Sequence, residues 1–157
     1  MNMNVKKAII LLADGLLGQM AEPAELFDNP YPNIDNTSWI LDGSNGRKSR
    51  SIHSLEPSQL KLNQHIFNLH KKYQAIEQNE VDYEEYLCDD ADIIIASFGS
   101  LARHSKAVCN HYREKGIKMG LFRPKTLYPF PYKRLNELSK KTKLFIDIEM
   151  NLGQMLR

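Results

Sequence analysis

The chain has 157 residues, of which 42% are hydrophobic and 25% are charged, so it has the length and composition of a globular domain with a buried core. Its 21 basic and 19 acidic residues give a formal net charge of +2, which is too balanced for the concentrated basic field that nucleic acid binding needs. The longest apolar run, residues 8–13, is too short to span a membrane and lacks the flanks of a signal peptide, so we expect a cytoplasmic protein.

Two contrasting segments open the chain. Residues 7–13 are predicted to form a strand, because residues 8–12 are continuously apolar, which is typical of a strand whose two faces are both covered. In residues 21–50, prolines, glycines, asparagines and aspartates interrupt the chain, so we expect an irregular linker there. A loop of this length is uncommon within one domain, which indicates that the first strand and the later residues belong to different domains.

A long amphipathic helix is predicted over residues 57–79. Pro57 suits a first helical turn, and apolar residues then recur at steps of three and four. The apolar stripe consists of Leu62, Ile66, Leu69, Tyr73 and Ile76. On the same helix, His65 and His70 lack the i, i+4 spacing of a zinc pair and are predicted to be surface residues.

The second half of the sequence alternates strands with helices. The predicted elements are strand 91–96, a helix with Ser100 as N-cap and Gly116 as C-terminal stop, strand 119–122, helix 131–141 and strand 144–148. This order predicts an α/β fold in which a mostly parallel sheet lies between two layers of helices, a three-layer α/β/α arrangement. The acidic pairs Glu84-Glu85 and Asp89-Asp90 precede these elements and are expected to be exposed.

The last predicted strand has a less buried pattern than the others. Asp147 and Glu149 alternate with Leu144, Ile146 and Ile148, which indicates that one face or one end of this strand is incompletely covered. We therefore expect an exposed sheet edge, which proteins usually cover with a further strand or a partner.

The turn after strand 91–96 is the first candidate site. Free N–H groups at the start of the following helix could bind an anion, and the candidate residues are Gly99, Ser100 and Arg103. The turn has neither a Gly-x-Gly-x-x-Gly motif nor a Walker lysine, so an ordinary strand-to-helix turn is the simpler interpretation.

Residues 123–131 form the second candidate site. Prolines stiffen this segment and display Tyr128 and Phe130, and rigid exposed aromatic side chains favour a contact with another protein. Arg123, Tyr128 and Phe130 are therefore interface candidates. A stiff loop whose aromatic side chains pack on their own domain is equally compatible with the sequence.

The remaining reactive residues give no catalytic pattern. Cys88 and Cys109 lack the Cys-x-x-Cys spacing of metal and iron–sulfur sites and are predicted to be reduced, partly buried thiols. The histidines lack the neighbours that the common catalytic triads require. The basic residues at 47, 48 and 50 are most simply solvated, with phosphate binding as a minority interpretation. We expect no catalytic residue and no metal site.

Four segments together resemble the α subunit of 2-oxoacid:ferredoxin oxidoreductases, and the resemblance is closest to the branched-chain, 2-oxoisovalerate type. The segments are Asp-Gly-Leu-Leu-Gly-Gln-Met at 14–20, Gly-Ser-Leu-Ala-Arg at 99–103, Leu-Phe-Arg-Pro-Lys-Thr-Leu-Tyr-Pro-Phe-Pro at 121–131 and Glu-Met-Asn-Leu-Gly-Gln-Met at 149–155. In the last segment, Asn151 and Gln154 are further interface candidates. Asp147 departs from the apolar residue expected at its position.

The resemblance implies oxidative decarboxylation of a 2-oxoacid, in this case a branched-chain one, to an acyl-CoA. Thiamine diphosphate, iron–sulfur clusters and CoA are implied for the whole complex, and none of them is expected to bind this chain alone. The implied partners are a thiamine-diphosphate-binding β subunit, a γ subunit, a ferredoxin-like δ subunit and, through the complex, ferredoxin. Homo-oligomer formation is left open, and neither nucleic acid nor a membrane is expected as a partner.

The same resemblance implies a division into domains. Residues 1–20 resemble the end of a pyrimidine-binding domain, residues 21–50 a linker, and residues 51–157 a transketolase C-terminal-like domain that is cut short at its end. The glutamate that activates thiamine in such enzymes has no counterpart here, so a structural and assembly role is expected. The alternative is a free-standing α/β module that binds a small anion at residues 98–103 or acts as a regulator.

Overall fold

The computed structural model describes residues 9–21, 23, 25, 37, 39–44, 46–51 and 55–155. The chain divides into two compact units, one formed by Met1–Met20 with Asn68–Arg157 and the other by Ala21–Phe67. The helices are α1 (Gln59–Asn79), α2 (Gly99–Glu114) and α3 (Tyr132–Ser139), and the strands are β1 (Tyr83–Tyr86), β2 (Ile93–Ala96), β3 (Met119–Pro124) and β4 (Leu144–Asp147). A short 3-10 helix covers Leu17–Gln19.

The four strands form one mixed sheet in the order β1-β3-β2-β4. Strand β2 pairs in parallel with both β3 and β4, and Ile94 lies opposite Gly120 on one side and Phe145 on the other. Strand β1 pairs antiparallel with β3 at the far edge. The predicted α/β fold with a mostly parallel sheet is confirmed.

Two apolar clusters cover opposite faces of this sheet. Ile94 and Phe122 pack in one cluster with Leu138 of α3, whereas their neighbours Ile95 and Leu121 pack in the other with side chains of α2. Successive strand residues point to opposite faces, so the two helices lie on opposite sides of the sheet. The predicted three-layer arrangement is therefore confirmed.

Strand β1 corrects the expectation that Glu84 and Glu85 lie in an exposed polar stretch. Both are half-buried, and each binds a cation on a different side of the sheet. Glu84 pairs with Lys106 and Arg123 at 3.2 Å each, while Glu85 accepts two hydrogen bonds from Arg134, from Nε at 2.5 Å and from Nη2 at 3.0 Å. The pairing residues come from α2, β3 and α3, so tertiary contacts stabilise this acidic strand.

Arg113, near the end of α2, joins three parts of the same unit. Its guanidinium donates hydrogen bonds from Nη2 to the carbonyl of Leu87 at 2.7 Å and from Nε to that of Met119 at 2.6 Å. It also pairs with Asp90 at 2.7 Å, and the hydrogen bond from Arg113 lowers the pKa of Asp90. Asp90 is thus exposed, as expected, but it is engaged in fixing the connection between β1 and β2.

The prediction of a strand over residues 7–13 is wrong for the part that the structure describes, which starts at residue 9. Residues 9–13 have no strand conformation, and Ile9, Ile10, Leu11 and Leu12 are 67–91% exposed. An apolar run becomes a strand only where a neighbouring strand pairs with its N–H and C=O groups. No described residue provides that pairing here.

Helix α1 confirms the predicted long helix, but its apolar stripe remains open. None of its residues is buried, and Leu62, Ile66 and Tyr73 are 41%, 53% and 47% exposed. His65 and His70 are exposed, as predicted. No helix within the described residues is both long enough and apolar enough to cross a membrane.

Strand β4 confirms the predicted incomplete cover. It pairs with β2 alone among the described strands, and its Leu144 and Ile146 side chains are 51% and 36% exposed.

Gly120 in β3 provides a test of the packing. A Cβ atom there would lie 2.7 Å from the Leu87 carbonyl oxygen and 3.1 Å from Cys88 Cα, and both are backbone atoms with little room to move. Gly120→Ala is therefore expected to lower the free energy of unfolding by about 1–3 kcal/mol, measured by urea denaturation. Gly18→Ala is the matched control, since its Cβ would meet nothing within 4 Å. Equal stability of the two variants would contradict the close approach.

Candidate functional site

The loops that follow the three parallel strands meet at one edge of the sheet. They are residues 97–98 after β2, residues 125–131 after β3 and residues 148–155 after β4. The carboxyl ends of parallel strands are where open α/β sheets place ligands. All the candidate residues of the sequence analysis except Arg103 and Arg123 lie on these loops or on the first turn of α2.

The first turn of α2 already binds a carboxylate, that of Asp14. Ser100 Oγ donates a hydrogen bond to Asp14 Oδ2 at 2.7 Å, and the Ser100 backbone N–H approaches the same oxygen at 3.4 Å. The other carboxylate oxygen, Oδ1, accepts a hydrogen bond from the Leu17 N–H at 2.7 Å. The negative charge predicted at this helix start thus comes from the chain itself.

This contact also corrects the predicted role of Ser100 as N-cap. The helix begins one residue earlier, at Gly99, and Phe98 occupies the N-cap position without a side-chain hydrogen bond to the helix. Gly99 has a φ of +61°, which disfavours any residue with a Cβ, and such a Cβ would lie 3.4 Å from Asp14 Oδ2. Gly116 ends the helix with a φ of +83°, as predicted. Arg103 is exposed on α2.

The surroundings of Asp14 favour its charged form. The hydrogen bond from the Leu17 N–H, followed by that from Ser100, lowers the pKa of Asp14 below its ordinary value of 3.8 despite some desolvation. The carboxylate is therefore ionised at neutral pH.

The proline-rich loop is fixed by hydrogen bonds around Thr126. The Asp82 N–H donates to Thr126 Oγ1 at 3.0 Å, and Thr126 Oγ1 donates to the Pro129 carbonyl at 2.8 Å. The peptide bond between Tyr128 and Pro129 is cis. A loop held in this way presents its side chains in fixed positions.

The aromatic residues of this loop differ in exposure. Tyr128 is 61% exposed and makes an edge contact with Tyr73 of α1, with 6.3 Å between the ring centres. Phe130 is half-buried and lies 4.9 Å from the ring of Tyr132. Arg123, at the end of β3, is engaged with Glu84. Each alternative of the sequence analysis thus matches part of the loop, and the interface roles stay a prediction.

The Glu149–Met155 segment folds into a turn held by its own side chains. Asn151 Oδ1 accepts hydrogen bonds from the N–H groups of Gly153 at 2.8 Å and Gln154 at 3.0 Å, and Asn151 Nδ2 donates to Glu149 Oε2 at 2.8 Å. Glu149 Oε1 also accepts from the Met155 N–H at 3.0 Å. Asn151 therefore shapes the turn, a role that its spacing to the next glycine could have indicated.

This turn places an apolar side chain in solvent. Leu152 is 99% exposed and its neighbour Met150 is 62% exposed. Asn151 and Gln154 are exposed beside them. The two polar residues are interface candidates predicted from the sequence, whereas Leu152 is not among those candidates.

Two adjacent cavities lie beneath these loops and share Phe130, Tyr132 and Met155. The smaller one, of about 160 Å³, is further lined by Phe98, Leu127 and Gln154. The larger one, of about 410 Å³, extends between β4 and α3. Its lining includes Ala96, Leu135, Phe145 and Asp147.

Asp147 is the ionisable residue in the larger cavity that sequence reasoning did not select as a site. Its Oδ1 atom is buried and has no hydrogen-bond partner among the described residues. Burial, together with the neighbouring Glu149 carboxylate, raises the pKa of Asp147 to about 6. The pKa of Glu149 is lowered, because its desolvation is outweighed by hydrogen bonds from the Asn151 side chain, the Met155 and Gln154 N–H groups and the Asp147 carboxyl group. The acidic side chain of Asp147 in an otherwise apolar strand was the feature of the sequence that could have indicated this site.

The described residues do not fit a metal ion or an iron–sulfur cluster. They contain no group of three or more His, Cys, Asp or Glu side chains arranged to hold a metal. Cys88 and Cys109 are both buried, and Cys88 Sγ donates to the Leu121 carbonyl at 3.1 Å. Burial raises the pKa of the Cys88 thiol to about 11, which disfavours the thiolate that a metal would bind.

Comparison with known proteins gives one family and a consistent group of relatives. Residues 91–157 match the family model for pyruvate:ferredoxin oxidoreductase core domain II. The ketoisovalerate oxidoreductase subunit VorB from Methanothermobacter marburgensis is 40% identical over 150 residues, which cover 96% of this chain and 43% of that protein. The pyruvate synthase subunit PorA from Pyrococcus abyssi is 40% identical over 85 residues, which cover 53% of this chain and 20% of that protein. The chain thus spans less than half of the length of these relatives.

A solved structure has a similar fold. It is described as 2-oxoglutarate:ferredoxin oxidoreductase from Magnetococcus marinus with 2-oxoglutarate, coenzyme A and succinyl-CoA bound. The similarity has a TM-score of 0.56 at 19% identity and covers 73% of this chain and 22% of that chain. At this level of identity it shows the shared α/β fold alone.

Asp14→Asn tests the contact with α2. The pKa of Asp14 is lowered in the folded state, so the ionised carboxylate stabilises the folded chain fully at pH values above 3.8, the ordinary pKa. This stabilisation is lost as the pH falls through the lower pKa of the folded state. The Tm of Asp14→Asn should lie below that of the native chain at neutral pH, and this difference should shrink below about pH 4. Glu114→Gln, an exposed change at the other end of α2, is the control for both melts. A difference that is independent of pH would contradict the role of the carboxylate.

Proposed function

Because this chain belongs to the family of 2-oxoacid:ferredoxin oxidoreductase subunits, we propose that it is part of an α subunit with a structural and assembly role. The enzyme would decarboxylate a 2-oxoacid oxidatively to an acyl-CoA and pass the electrons to ferredoxin. A branched-chain 2-oxoacid is the proposed substrate. The observation that carries this proposal is the similarity to the ketoisovalerate oxidoreductase subunit along nearly the whole chain.

The proposal assigns the cofactors to other parts of the complex. Thiamine diphosphate, when bound there, supplies the stabilisation of the carbanion, and iron–sulfur clusters carry the electrons. The two thiols of this chain are buried and unsuited to hold a cluster. CoA is likewise assigned to the assembled enzyme.

The proposed domain arrangement follows the resemblance. Residues 1–20 would be the end of a pyrimidine-binding domain, residues 21–50 a linker and residues 51–157 the transketolase C-terminal-like domain. The alternation of β2, α2, β3, α3 and β4 supports this proposal for the second domain. A cytoplasmic location is proposed as well, since reduced cysteines suit that compartment.

The proposed contact surface with partner chains is formed by Tyr128 and the turn of residues 149–155. Hydrogen bonds hold both loops, so little conformational entropy is lost when their exposed side chains dock. Leu152, which is almost completely exposed, would insert into an apolar pocket of the partner. The proposed partners are the thiamine-diphosphate-binding β subunit, the γ subunit and the ferredoxin-like δ subunit, with ferredoxin reached through the complex.

No observation favours the alternative of a small-anion-binding module. Its proposed site, residues 98–103, is where the carboxylate of Asp14 already binds Ser100. An external anion would have to displace this carboxylate.

The assembly role is tested with Leu152→Ser in the complete multi-subunit complex. The variant should keep the Tm of the native chain, because the Leu152 side chain buries nothing within this chain, but a larger fraction should elute as unassembled subunit in size-exclusion chromatography. Lys140→Ser, an exposed change directly after α3, is the control and should assemble fully. Complete assembly of both variants would count against this contact surface.

The division of labour is tested by comparing the isolated chain with the complete complex. With 3-methyl-2-oxobutanoate, thiamine diphosphate and CoA, the isolated chain is expected to give no sustained reduction of a viologen dye, because the catalytic groups are assigned elsewhere. The complete complex should turn over under the same conditions. Sustained turnover by the isolated chain would refute the proposed role, and a complex that acts only on other 2-oxoacids would refute the substrate class.

A further inference from the structure

The larger cavity combines an apolar lining with one carboxyl group. Its volume of about 410 Å³ lies within the range that small-molecule sites occupy. Leu135 and Phe145 form part of its apolar wall, and Phe130 and Met155 line it from the loops. Asp147, the last residue of β4, is the single carboxylic acid among the lining residues.

One oxygen of the Asp147 carboxyl group is unpaired among the described residues. This oxygen, Oδ1, is buried and has no hydrogen-bond partner in the described part of the chain. The Glu149 side chain shares a hydrogen bond with the Asp147 carboxyl group, and both this bond and the Glu149 charge favour the protonated form of Asp147. Glu149 also accepts hydrogen bonds from Asn151 and Met155. An ionised carboxylate in such surroundings is unfavourable until a cation or a hydrogen-bond donor approaches it.

We propose that this cavity binds a small organic cation, an ammonium group carried on a compact branched or aromatic hydrocarbon. The ammonium would lie beside Asp147 and compensate its charge, and the hydrocarbon would contact Leu135 and Phe145. A carboxylate ligand of the same shape is excluded, because it would add a further negative charge beside Asp147 and Glu149. The proposed ligand is therefore opposite in charge to a 2-oxoacid, and the inference does not rest on the proposed function.

The charge requirement gives the site a defined pH dependence. Glu149 is the charged neighbour of Asp147 on the β4 side, and Tyr132 contributes a phenol from α3. The remaining lining residues from β2, α3 and the loops are uncharged, among them Asn136 and Ser139. Since an ammonium prefers the ionised carboxylate, its affinity should fall as the pH drops through about 6, where Asp147 becomes protonated.

The test uses three probes of one shape and three charges, namely 3-methylbutylamine, 3-methyl-1-butanol and 3-methylbutanoate. Each is titrated into the full chain while the methyl resonance of Met155 is followed by NMR. The amine should bind with an affinity at least about tenfold higher than that of the alcohol, and the carboxylate should not bind. The affinity for the amine should also be about tenfold lower at pH 5 than at pH 7.

Two variants locate the site. Asp147→Asn keeps the shape of the side chain and should remove the preference for the amine over the alcohol, whereas Glu114→Gln should leave it unchanged. Ser139→Phe, which fills the cavity while keeping Asp147, should abolish binding of both probes.

Equal affinities for all three probes, an amine affinity unaltered by Asp147→Asn, or no binding of any probe would each overturn the proposal. A Met155 signal that responds only to partner subunits would identify the cavity as a protein contact instead.

Discussion

The structure depends on the burial of β2 and β3 at the centre of the sheet. These two strands are apolar on both faces, so consecutive residues such as Ile94 and Ile95 must each be covered from a different side. This requirement places α2 and α3 in opposite layers. It also sets the close approach at Gly120, where the chain after β1 passes so near to β3 that only a hydrogen fits.

The same arrangement determines where chemistry can occur. Because β2, β3 and β4 run in parallel, the loops that follow them meet at one edge of the sheet. Two of these loops are fixed by side-chain hydrogen bonds. Thr126 fixes the second loop and Asn151 the third, while the first leads directly into α2. A rigid edge of this kind suits docking to other chains, and the relatives of this chain are named as oxidoreductase subunits. At the same edge, Asp147 Oδ1 is buried and has no hydrogen-bond partner among the described residues.

The sequence was sufficient to predict the elements that local interactions or a clear apolar pattern stabilise, and these are β2, α2, β3, α3 and β4. It failed for β1, because the partners of Glu85 and Glu84 are basic residues on distant elements. It also predicted a strand at residues 7–13, since an apolar run does not reveal whether a pairing strand exists. Ser100 was assigned to the wrong hydrogen bond because its partner, Asp14, is remote in sequence. The acidic character of Asp147 was visible, but the cavity around it was not.

The carboxylate of Asp14 has a mechanical consequence. One of its oxygens holds the turn at Leu17 and the other holds the beginning of α2, so two segments that are far apart along the chain share a single anchoring group. A force that pulls on residues 9–13 would therefore act on the first turn of α2 through this carboxylate.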